Sequence, residues 1–132
     1  MKGWRRRQAR RRAASALAVG LLLVMATVAL AAQQEQVLRV DLQEWQLGFR
    51  TVEVQGGRLR VEVVNGGRLH HAFEIRGPVG GAGFTVATET LQPGQRAVLV
   101  LELPAGEYEV FCPVPGHAQA GMTGRLVVRA GG

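Results

Sequence analysis

The stretch FRTVEVQGGRLRVEVVNGG, residues 49–67, carries the clearest periodicity in the chain. Leu59, Val61 and Val63 alternate with Arg58, Arg60 and Glu62. Successive side chains of an extended strand point to opposite faces, so this pattern reads as a strand with one buried and one wetted face. Gly56-Gly57 and Asn65-Gly66-Gly67 bound it as turns.

The same grammar extends in both directions. LRVDLQEW (38–45) alternates well enough for a strand, and HHAFEI (70–75) sets His71, Phe73 and Ile75 against His70, Ala72 and Glu74. GPVGGAG (77–83) is a loop; it lacks the Lys-Ser/Thr of a phosphate loop. FTVATETL and RAVLVLEL flank the turn QPGQ, and Pro104-Ala105-Gly106 turns the chain into EYEVFC (107–112). In that strand Tyr108, Val110 and Cys112 share a face, and GRLVVR (124–129) is the last strand. No segment after residue 36 holds a 3.6-residue period beyond a single helical turn within 77–90. Seven or eight short strands in about 100 residues predict an all-β, antiparallel Greek-key β-sandwich over residues 38–132. A body of this size can bury one core without disulfides.

The 132 residues carry a formal net charge of +6, but the charge is local. Lys2, Arg5, Arg6, Arg7, Arg10, Arg11 and Arg12 precede the first acid, Glu35. The rest of the chain balances nine basic against ten acidic residues, so the body offers no basic face for nucleic acid. Residues 13–32, AASALAVGLLLVMATVALAA, are uncharged and end in the small-residue step Ala29-Leu30-Ala31. A basic start, an apolar stretch and such an end predict a secretory signal over 1–32, cleaved after Ala31. Twenty apolar residues also suffice for a membrane anchor. Both readings place the body outside the cytoplasm, in the bacterial periplasm or on the outer face of the cytoplasmic membrane, after a linker at 33–37.

Export makes Cys112 conspicuous, because disulfides form there and the chain has no second cysteine. It lies in CPVPGHAQAGM (112–122), with His117 and Met122 five and ten residues on. Spacings of five alternate faces, so the three cannot lie on one strand face and must share a folded loop. Pro113, Pro115, Gly116 and Gly121 supply its turns. His71 sits on the inward face of another strand. Taken alone, a cysteine is usually a small buried hydrophobe, and an isolated histidine a satisfied core residue. Together the four offer a thiolate, two imidazoles and a thioether, the donor set of blue-copper electron-transfer sites. A Cys112–His117 catalytic pair leaves Met122 and His71 unexplained, and structural zinc sites do not use methionine.

VNGGRLHHAFEI and LPAGEYEVFCPVPGHAQAGMTGRLVV resemble the cupredoxins, the small blue-copper proteins such as plastocyanin and auracyanin. The likeness spans roughly residues 38–129. It implies His71, Cys112 and His117 as equatorial ligands of one copper ion, Met122 as axial ligand, and His117 as the more exposed imidazole. It also implies that Tyr108 closes a corner through its hydroxyl. The chain departs from the family at Ala72, where members commonly carry Asn or Asp that ties the ligand loops together. The binuclear copper domain of cytochrome oxidase, a relative, needs two cysteines, so one copper is expected here. The resulting expectation is a monomeric electron carrier, not an enzyme, docking redox proteins near His117. The alternative is a copper-delivery protein, and a metal-free interaction module is a third reading.

Overall fold

The computed structural model describes residues 35–81 and 83–131. The expected signal or anchor segment, 1–32, lies outside them. Among the described residues no helix is long and apolar enough to cross a membrane. Eight strands lie among the described residues: β1 (Gln36–Leu42), β2 (Thr51–Gln55), β3 (Gly57–Asn65), β4 (Glu74–Gly77), β5 (Phe84–Ala87), β6 (Arg96–Leu103), β7 (Gly106–Phe111) and β8 (Thr123–Arg129). They form two sheets, β1-β3-β6 and β2-β8-β7-β4-β5. The all-β sandwich is therefore as expected. Four ladders are antiparallel, while β1–β3 and β2–β8 run parallel.

The period-two pattern of β3 is realised, with Leu59, Val61 and Val63 in the core. Facing them from the other sheet are Ile75, Tyr108, Val110, Leu126 and Val128. Burial of the aliphatic side chains among these, at roughly 1.5–3 kcal/mol each, is what holds the two layers together. β1 takes in Gln36 and Val37, which the sequence assigns to the linker. The parallel ladder with β3 explains this, since it sets Gln36 and Val37 opposite Leu59 and Arg60; the Gln36 side chain also donates to the Gln55 carbonyl at 2.7 Å and accepts from the Gln55 amide at 2.8 Å.

Two other expectations change. The 77–90 segment forms a turn and β5 rather than a helical turn, because β5 pairs with β4. HHAFEI does not alternate: His71 through Ile75 are all buried. Only Glu74 onward is ladder strand, so strand alternation does not govern the irregular residues 71–73 ahead of it. Ahead of it, His71 and Leu91 exchange backbone bonds at 3.0 and 2.7 Å.

The fold brings three strand ends together. Glu74 of β4 pairs with Phe111 of β7, so His71 and Cys112 emerge at the same end of adjacent strands. Phe111 in turn pairs with Thr123, which sets Met122 opposite Cys112. At the other end of β7, the fully buried Tyr108 donates its hydroxyl proton to the Pro104 carbonyl at 2.8 Å, closing the expected corner. Tyr108→Phe removes that bond and should cost about 1 kcal/mol in urea unfolding of the metal-free protein, without altering the far end of the strand. Unchanged stability would mean that the corner contributes nothing.

Candidate metal centre

The loop from Cys112 to Met122 folds on itself through a chain of backbone bonds. The His117 amide donates to Val114, Ala120 to Gly116, Gly121 to Ala118, and Met122 to His117, all at 3.0–3.1 Å. Cys112 then donates to Met122 at 3.0 Å, closing the loop at its neck. Gly121 has a φ of +119°, and a Cβ there would approach the Trp45 carbonyl at 3.1 Å. Glycine thus permits both the turn and the close seat of the 43–46 segment against the loop.

Among the described residues one set of His, Cys, Asp and Glu side chains converges: His71, Cys112 and His117, with donor atoms all within 4.8 Å of one another. The inward atoms are the two Nδ1 nitrogens, 3.1 Å apart, and the Cys112 sulfur, 3.6 Å from His117 Nδ1. Nitrogens sharing one ion at metal–nitrogen bonds of about 2 Å come to about this spacing. The three residues are buried, His71 completely and His117 to 8% exposure. Burial first, then the neighbouring His71 and His70, lowers the His117 pKa below the ordinary imidazole value, favouring the neutral form that a metal requires. Met122 is fully buried beside them, joined to both Cys112 and His117 through its backbone. His70 is exposed and stands outside the converging set, its ring 6.1 Å from that of His117.

Ala72 has no side-chain tie to offer, but its backbone amide donates to the Cys112 sulfur at 3.5 Å. The bracing comes from residues outside the donor set. Buried Asn65 donates to the Leu69 and Leu91 carbonyls, both at 2.8 Å, and accepts from the Gly67 amide at 3.0 Å. Glu44 Oε1 accepts from the Arg68 and Leu69 amides at 2.6 and 2.9 Å and reaches His71 Nε2 at 3.3 Å. The Leu69 and Arg68 amides, with a smaller part from His71, pull its carboxyl from 4.5 down to about 2, so it is ionised at neutral pH. Beside it, Trp45 has a φ of +69°, a left-handed conformation that costs a bulky residue about 1–3 kcal/mol. Its ring stands edge-on to His117, centroids 5.4 Å apart.

One signal for Glu44 exists in the sequence: it is in phase with Leu38, Val40 and Leu42, the buried positions of β1. Trp45 carries no such mark; Asn65 stands in the Asn-Gly-Gly turn of the family-like stretch, but nothing in the sequence shows what its side chain holds. Asn65→Ala strips bonds from the segment that leads to His71 and should lower stability by about 1–3 kcal/mol in denaturant unfolding. A neutral result would show that the 66–70 segment holds its shape without it.

A β-sandwich with two imidazoles and a thiolate buried at one end defines the class of small single-copper proteins. The chain belongs to the cupredoxin-like domain family, whose model matches residues 15–128. That family typically holds a single copper ion, and His71, Cys112 and His117 are positioned as the site for one. No curated protein matches. The solved structure of dithionite-reduced auracyanin from Roseiflexus castenholzii is 20% identical, with a TM-score of 0.62, covering 73% of this chain and 98% of that one. Auracyanin A, described as a "blue" copper protein from Chloroflexus aurantiacus, is 17% identical, with a TM-score of 0.62 over 73% of this chain and all of that one. A multicopper oxidase is 17% identical with a TM-score of 0.59, and the match spans 74% of this chain but 43% of the oxidase. At these identities the likeness establishes the fold.

Proposed function

We propose that the chain is a one-electron carrier acting outside the cytoplasm, with His71, Cys112 and His117 as equatorial copper ligands and Met122 as the axial ligand. The observation that carries this reading is the buried convergence of two Nδ1 atoms and one thiol within 4.8 Å. Copper held there would supply a Cu(I)/Cu(II) couple. The chain's own residues do the rest. The Ala72 amide faces the sulfur, where a hydrogen bond moderates thiolate charge. Bonded turns hold the 112–122 loop in one shape, so little needs to move when charge changes. Burial excludes water from His71 and Cys112, and His117 is the ligand nearest the surface.

That surface is where a redox partner would dock. Pro113, Pro115, Gly116 and Ala120 are exposed around His117, and Trp45, 46% exposed, adds an aromatic rim. The patch is small and uncharged, as brief encounters require. With a body near neutrality, long-range steering is weak, and electron exchange with the partner should change little between low and high salt. A steep salt dependence would contradict this. The auracyanins support a carrier over an enzyme, and the single cysteine supports one copper rather than a bridged pair. The segment 1–32 supports export by its basic start and uncharged stretch.

The test is direct. The full chain, purified and given Cu(II), should develop an intense blue or green absorption and a reversible one-electron voltammogram. Cys112→Ala should abolish the colour, since the thiolate is its source. His70→Ala should leave it in place, and loss of colour there would overturn the assignment of His71. Copper uptake without a reversible couple would favour delivery of copper to another protein.

A further inference from the structure

We propose that Glu44 is a positioning residue for the copper centre: its carboxylate selects the His71 tautomer that offers Nδ1, and its charge favours the oxidised metal. This rests on the reading of the chain as a blue-copper carrier. The geometry is specific. Each ring nitrogen of His71 has one neighbour, His117 Nδ1 at 3.1 Å and Glu44 Oε1 at 3.3 Å. A carboxylate only accepts, so it is satisfied by a proton on Nε2. A neutral imidazole has one N–H, and Nδ1 is then left with a lone pair aimed at Cys112 and His117.

Glu44 is itself held. The Arg68 and Leu69 amides fix the same oxygen, so the side chain keeps one position. Space for it depends on Gly67, where a Cβ would collide with Glu44 Oε1 and lie 3.0 Å from His71 Nε2. The backbone at Gly67 is not left-handed, so what resists alanine there is contact with Glu44 and with His71 rather than φ. A fixed negative charge one imidazole away from the site stabilises the more positive state of the metal, and so opposes reduction.

Three variants of the full chain separate the two roles. Glu44→Gln keeps an acceptor oxygen and removes the charge. Copper binding should persist, and the Cu(II)/Cu(I) balance should shift at least tenfold toward reduction, about 59 mV for one electron. Glu44→Ala removes the acceptor as well. Copper affinity should fall about 10–100-fold, and nitrogen–proton correlation spectra of the metal-free protein should show His71 losing its Nε2–H form. Gly67→Ala should displace the carboxylate and follow Glu44→Ala in direction while the chain keeps its acid. A Glu44→Gln potential equal to or below that of the parent overturns the charge effect. Parental affinity and tautomer in Glu44→Ala overturn the positioning role. If the parent takes no colour, the carrier reading fails on its own, and the metal-free spectra still decide whether Glu44 sets the tautomer.

Discussion

Two imidazole nitrogens and a sulfur lie within 4.8 Å of one another in a space nearly closed to water. Uncompensated polar atoms in such a place are costly, so the scaffold has to hold them there. Most of the architecture serves that constraint. β4 and β7 are neighbours, so His71 and Cys112 leave the sheet side by side. β7 and β8 are neighbours, so the loop between them must return on itself, and His117 is carried back over Cys112. The hydrophobic layers behind them, from Leu59 to Val128, make the strand ends a fixed platform.

Of the charges of the molecule, one bears on the same constraint. Seven basic residues stand ahead of the body, which is itself almost balanced. Surface ion pairs such as Arg129–Glu53 and Arg125–Glu107 join neighbouring strands in the water-facing layer, where each contributes little. Glu44 differs from them, because backbone amides rather than a cation hold it, and its charge is left to act on His71. Trp45, next in the chain, carries a strained backbone and lies against His117. One two-residue turn, closed by the mutual backbone bonds of Gln43 and Gln46, thus reaches both imidazoles of the site.

How much of this was legible depends on the range of the interaction. β3 was readable because alternation is a local property of seven consecutive residues. The loop from Cys112 to Met122 was readable because its donors and its turn residues are close in sequence. HHAFEI misled because alternation presumes a continuous strand, and the ladder begins only at Glu74. The parallel ladders β1–β3 and β2–β8 were not readable, since a strand's own pattern does not record the direction of its partner. Glu44 meets His71 across 27 residues and Asn65 meets Leu91 across 26, with no repeating pattern to connect them.

By itself, then, the sequence determined the fold class and the chemistry of the donors: period-two strands, one thiol, and a His and Met at loop spacing from it. These follow from side-chain identity and short-range geometry, which are written in consecutive residues. Only the tertiary structure decided what surrounds the donors. It set Glu44 behind His71, Trp45 beside His117 and the Ala72 amide against the sulfur. Those neighbours are chosen by the pairing of distant strands, and pairing is settled by packing of the whole core rather than by any one segment.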